Sequence, residues 1–322
     1  MESTKVLGFV EILTQALKIL FKNGKLLVSI ASLTLLFTSL IFLLNVFFIS
    51  PRITDFIVEN SFLLVTNPSS PEFTTLLVGM KQDIQIFLGF QWIFLVANII
   101  ITVLSSIALI LASAASYQYG ANNPSLKELM LISLKSLKGP FITWFYTTLL
   151  GVGYMFFVLG ILVPAFIMMG SIAFAASSVT SMLLSFLAAA SYSYLAMDWT
   201  LAVIVSVVEE KYCGIEALEK GKQLVKGMEL YGSALNFLFS VLSLVVLQGM
   251  RLINFKQSAA VEITIGLIVL NSVCLIRMFW LLVYTSFYYQ CKKNHGEEVE
   301  MQVNMEYYKA AGHVPLINEI VV

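Results

Sequence analysis

The sequence predicts an all-α fold: a membrane helix bundle of about six spans, with short amphipathic helices on the cytosolic side. Three observations predict it. The chain is 59% apolar and only 12% charged, about half the charged share of a soluble protein. Its apolar residues gather into six runs of about 20 residues or more, the length a helix needs to cross a bilayer. Lysine and arginine concentrate in alternate connections between those runs. Backbone polar groups in lipid must be satisfied inside their own segment, so each run is read as a helix.

The first run, 26–49, starts too far from Met1 and is too long for a cleaved signal peptide. It reads as an uncleaved signal anchor, ended by Ser50 and Pro51. A long connection follows to about Gln85, with Phe62–Val65 expected to lie on the membrane surface. The second run is 86–114. From Phe141 to Val208 the only charge is Asp198, and that length alone would hold three spans. Two tilted spans, 141–169 and 175–208, turning near Gly170–Ser171, agree better with the charge pattern, which an odd count would invert. The fifth run is 230–247 and the sixth 261–289. Residues 1–293 are thus one transmembrane domain. Residues 294–322 are a polar tail, read as disordered with a partner-binding end at Leu316–Val322.

Orientation follows from the positive charges. Fourteen lysines lie in the N-terminal segment, the connections after spans two and four, and the tail. The opposite side holds Arg52, Lys81, Arg251 and Lys256. The bias places both termini in the cytosol. Span lengths do not choose between endoplasmic reticulum and plasma membrane. Formal net charge is zero, which gives no polybasic case for nucleic acid.

Three cytosolic stretches share a pattern. Phe9–Phe21, Leu126–Leu137 and Ile215–Val225 are each a short amphipathic helix followed by lysine, glycine and a span. In the first, Glu11, Gln15, Lys18 and Lys22 recur every three or four residues as one polar stripe. In the second, Ser125 and Glu128 form a capping box behind Pro124. A lysine in the last turn suits the negative helix end, and glycine can close the helix left-handed. The pattern suggests three copies of an interfacial helix plus a two-span hairpin.

The stretch after the fourth span is the most specific. It runs from Glu209 through Gly214, Ala217, Leu218, Leu224, Lys226 and Gly227. This motif resembles that of a plant family of uncharacterised multi-span membrane proteins. It is distantly similar to the membrane domain fused to some bacterial glycerophosphoryl diester phosphodiesterases, in which serine usually stands where Gly221 is. The resemblance implies no established activity. No soluble stretch here could hold the bacterial catalytic barrel of about 250 residues, so no catalytic residue is carried over.

Asp198 and Arg277 are the charges inside spans. Such charges are costly and usually face the bundle interior or a water path. An Asp198–Arg277 ion pair between spans four and six is expected, either as a structural register pin or as a polar site. His295 and His313 lie in the tail without metal-ligand spacing, so neither zinc nor another cofactor is expected. The tyrosines at the end of span six read as an interfacial belt. Cys291, beside Lys292 and Lys293, is a candidate for S-palmitoylation, against a plain free thiol. The functional expectation is a non-enzymatic scaffold or bilayer-organising protein, with the lipid bilayer, a second copy or other membrane proteins as partners. A small-solute transporter or channel using Asp198 and Arg277 is the alternative.

Overall fold

The computed structural model describes residues 2–67, 69–119, 125–169, 174–209, 211–252 and 258–297. Among these residues there are nine α-helices and no strand. They are α1 (Glu2–Lys22), α2 (Gly24–Val65), α3 (Pro71–Tyr119), α4 (Leu126–Lys135), α5 (Lys138–Met169), α6 (Phe174–Val208), α7 (Ile215–Val225), α8 (Glu229–Leu247) and α9 (Ala259–Asn294). A short 3-10 turn, Gln248–Leu252, follows α8. Six helices, α2, α3, α5, α6, α8 and α9, are long and apolar enough to cross a membrane, which marks an integral membrane protein. Three times, a helix that is not a candidate span (α1, α4, α7) is followed by two that are.

The region from Phe141 to Val208 forms two helices, α5 and α6, packed on one another. The expected turn at Gly170–Ser171 lies outside the described residues, as does the tail beyond Glu297 with His313 and Leu316–Val322. The tail's first residues are not a disordered start. Helix α9 continues to Asn294, and Glu297 forms an ion pair described below.

The first span does not end at Pro51. Helix α2 runs through that proline for 42 residues, about 63 Å at 1.5 Å per residue. The expected surface loop 51–85 is instead the upper part of an antiparallel hairpin of α2 and α3, turning at residues 66–70. Pairing overrides the local break. Asn45 reaches Gln91 at 3.4 Å, Phe48 stacks on Phe90 with centroids 5.2 Å apart, and Arg52 pairs with Asp83 at 3.2 Å. A proline removes only one helical hydrogen bond, and contacts with a neighbouring helix can offset that loss.

The described chain divides into two compact units. One comprises the described residues of 1–24, 107–239 and 280–297, and the other those of 25–106 and 240–279. In the first, the last half of α6 is enclosed: Met197, Leu201, Ala202, Ile204 and Val205 are fully buried. The short helices turn their small and apolar faces inward. These are Ile12, Ala16 and Ile19 of α1, Leu129 of α4, and Ala217 and Leu224 of α7, at the helical spacing of three and four. The aromatic end of α9 is also inside: Tyr284, Phe287 and Tyr288 are fully buried, and Tyr117 stacks flat on Tyr289 with centroids 4.2 Å apart. This corrects the expectation of an interfacial tyrosine belt. The rings are core, and burial is tolerable because the hydroxyls of Tyr284 and Tyr288 are hydrogen-bonded.

The helix ends follow the sequence in part. Ser125 accepts from the Glu128 N–H, and the Glu128 carboxylate accepts from the Ser125 N–H, completing the capping box. Of the three closing glycines, Gly227 has the left-handed φ of +91°. Gly24 opens α2 and Gly139 lies in the first turn of α5. Asn23, buried and donating to Ser116 Oγ, leads the chain directly into the next helix, so no left-handed closure is needed there.

In the second unit, Ile30, Ile41, Ile49, Phe94, Val103 and Val269 are buried. Helices α2 and α9 approach closely at Gly266, where a Cβ would lie 2.8 Å from the Phe42 ring. Ser39 donates to the Asn271 carboxamide oxygen at 3.0 Å across the same pair.

Candidate functional site

The motif after α6 folds into a clamp in which all its residues but the half-buried Leu218 have a mechanical task. Glu209 ends the helix, its N–H bonded to the Val205 carbonyl at 2.7 Å. Gly214 then takes φ +59°, a conformation that L side chains rarely adopt. Its N–H donates to Thr143 Oγ1 at 2.8 Å, which ties the turn to α5. Helix α7 starts there and lays Ala217, Gly221, Leu224 and Val225 against the core. At Gly221 a Cβ would lie 3.0 Å from the Ala202 backbone nitrogen and 3.3 Å from the Asp198 carbonyl oxygen. Glycine lets α7 sit directly on the backbone of α6. Lys226 is exposed and caps the helix, and Gly227 turns the chain left-handed into α8.

Glu209 is the centre of a buried polar network. Its carboxylate accepts from the Tyr288 hydroxyl and pairs with the Lys292 ammonium at 3.1 Å. Lys292 also lies over the Tyr288 ring, 5.8 Å from its centroid. Glu209 and Lys292 are each 7% exposed. A buried ion needs an opposite charge and hydrogen bonds at once, and this trio supplies both.

Two more ties join the end of α9 to α7. Lys220 pairs with Glu297 at 2.6 Å, and a His295 ring nitrogen lies 3.0 Å from the Leu224 carbonyl. Partial burial works against the Lys220 ammonium. The Glu297 hydrogen bond and charge, with the charge of Glu209, outweigh it and hold its pKa above the ordinary lysine value. Deeper in the unit, Asn236 of α8 donates to the Ser193 carbonyl at 3.0 Å and accepts from Trp280 at 3.1 Å, linking α6, α8 and α9. The Tyr284 hydroxyl donates to the Gly232 carbonyl at 2.7 Å.

Sequence reasoning singled out Glu209 and the motif glycines, but not the partners. Lys292 reads as one more cation at a membrane edge and Tyr288 as one more interfacial ring. An acid and a base 83 residues apart carry no local pattern.

Asp198 and Arg277 belong to different units. Asp198 lies beside α7, in the field of Lys222 and Glu229. Arg277 reaches Ser106 Oγ of α3 at 3.5 Å, one turn from Cys274. Cys291 is fully buried, because the aromatic end of α9 that carries it is core. A buried thiol is not accessible to an acyl-transfer enzyme, which removes the basis for palmitoylation there. Of the other two free cysteines, Cys213 is exposed and Cys274 is half-buried.

A family model matches residues 1–319, nearly the whole chain. The chain belongs to the family described as a domain of unknown function, DUF8558. That description names no activity, and names neither plants nor glycerophosphoryl diester phosphodiesterases. No curated protein and no solved structure matches the chain. Membership extends to the clamp and to all six long helices, since both lie within the matched residues.

Proposed function

We propose that this protein is a non-enzymatic, multi-pass scaffold that organises the bilayer around it, with both termini in the cytosol. One observation carries the reading: the outer face of α1. Its inner face is locked into the core by Ile12, Ala16 and Ile19. Its outer face carries Val10, Leu17 and Phe21, with Phe21 82% exposed, next to exposed Lys18 and Lys22. An apolar stripe flanked by lysines is the composition of a helix lying in the headgroup layer. Isolated helices of that kind roll and leave. Here α1 runs through the single residue Asn23 into the long apolar helix α2, so the wedge is held at the membrane surface.

The same logic extends to α4, which exposes Leu131 and Leu134 beside Lys127 and Lys135. The clamp on α7 supports the reading from another side. Its buried charges are engaged in joining α6, α7 and α9, and rigid placement is what a wedge requires. The excess of lysine beside the short helices favours the cytosolic side for them.

The test is reconstitution of the full chain into large vesicles of neutral and anionic phospholipid, imaged by electron cryo-microscopy at rising protein-to-lipid ratio. Wild type is expected to shrink or tubulate the vesicles. Phe21→Ser combined with Lys18→Glu and Lys22→Glu is expected to insert equally and leave them round. Vesicles unchanged by wild type at all ratios would reject the proposal.

A further inference from the structure

The clamp and the surface helices leave one charge unexplained. Arg277 lies fifteen residues from Glu262 and fifteen from Lys292 along the continuous helix α9. That is about 22 Å from each at 1.5 Å per residue. The interval between those two outer charges equals the thickness of a bilayer with its headgroups, about 40–45 Å. Arg277 therefore sits at the middle of the α9 crossing, and its side chain is exposed there.

A guanidinium cannot shed its proton, and it has five donors and no acceptor. Charged side chains at this depth are rare, and they pair or line a path. Within its unit the groups around Arg277 are neutral. Ser106 Oγ is 3.5 Å away. Cys274 is one turn back on α9. Ser39 and Asn271 are bonded to each other two turns along. The ion pair described in that unit is Arg52 with Asp83, on the far part of the α2–α3 hairpin. The hydroxyl protons of Ser106 and Thr38 go to the Thr102 and Thr34 carbonyls, at 2.6 and 2.9 Å, so the donors offered to an oxyanion are those of the arginine fork, two of them parallel. The surrounding exposed surface is apolar, with Leu275 and Ile268 on α9 and Ile100 on α3.

From this geometry we infer that Arg277, its fork steadied by Ser106, forms a mid-membrane binding site for an oxyanion, a carboxylate or phosphate. The apolar rim admits an amphiphile from the bilayer, and a small anion from water would bind the same exposed guanidinium. Arg277 supplies charge and bidentate geometry. Ser106 orients the fork.

The test uses the full chain in nanodiscs of neutral phosphatidylcholine, titrated separately with oleate, with oleyl alcohol and with inorganic phosphate, reading the thermal unfolding midpoint. Oleate is expected to raise the wild-type midpoint saturably, and oleyl alcohol to leave it unchanged. Arg277→Gln raises the half-saturating concentration about tenfold or more. Arg277→Lys, which keeps the charge and loses the fork, falls between. Should Arg277→Gln fail to fold, the comparison rests on Arg277→Lys and Ser106→Ala, both expected to weaken the response by a smaller factor. A phosphate response in place of the oleate response, with the same dependence on Arg277, supports the site and assigns its ligand to water. An equal response to oleate and oleyl alcohol, a response indifferent to Arg277, or no response to any probe overturns the inference.

Discussion

At the scale of single residues, the stability of the clamp rests on pairing rather than on charge itself. Glu209 and Lys292 are worth keeping only together, since each is buried and each neutralises the other. Glu209→Gln leaves Lys292 buried without its anion and is expected to cost about 3–5 kcal/mol. Lys292→Met strands Glu209 and should cost a similar amount. The double variant should recover part of the loss, because the second change removes a stranded charge rather than a working pair. Denaturation in mixed micelles or bicelles gives the four values, and strict additivity would show that the pair is not coupled. Tyr288→Phe removes a donor from the same carboxylate and is expected to cost about 1–3 kcal/mol.

At the scale of elements, α7 is positioned by backbone contact. Gly221 lets it rest on Ala202, and the neighbour is main chain that cannot swing aside. Gly221→Ser should therefore destabilise by about 1–3 kcal/mol through overpacking. Gly153→Ala makes a good control, because nothing lies within 4 Å of its new Cβ. It should be neutral or slightly stabilising, since alanine is the better helix former. A Gly221→Ser variant as stable as wild type would show that the close approach to Ala202 does not position α7. The α2–α3 hairpin teaches the complementary lesson. Pro51 is a valid local stop signal, yet the helix passes through it because the antiparallel partner supplies aromatic stacking and an ion pair on either side. A local rule lost to a tertiary contact.

At the scale of the whole molecule, the two candidate spans α2 and α3 before α4 predict that the turn between α2 and α3 and the segment between α4 and α5 lie on opposite sides of the membrane. Ser69→Cys and Ser136→Cys, each in a background without the three native cysteines, test this with an impermeant thiol reagent on sealed, right-side-out vesicles. Label is expected at position 69 in intact vesicles and at position 136 only after permeabilisation. Labelling of both in intact vesicles would break the six-span topology. The amino-acid sequence alone determined the fold class, the six long apolar helices and the capping box at Ser125. These follow from hydropathy, periodicity and side-chain chemistry within a few residues. Only the tertiary structure decided that α2 runs on past Pro51, that the tyrosines of α9 are core, that Cys291 is enclosed, and that Glu209 meets Tyr288 and Lys292. Each of those depends on which distant segments touch, and such partners are chosen by packing across tens of residues that no local pattern records.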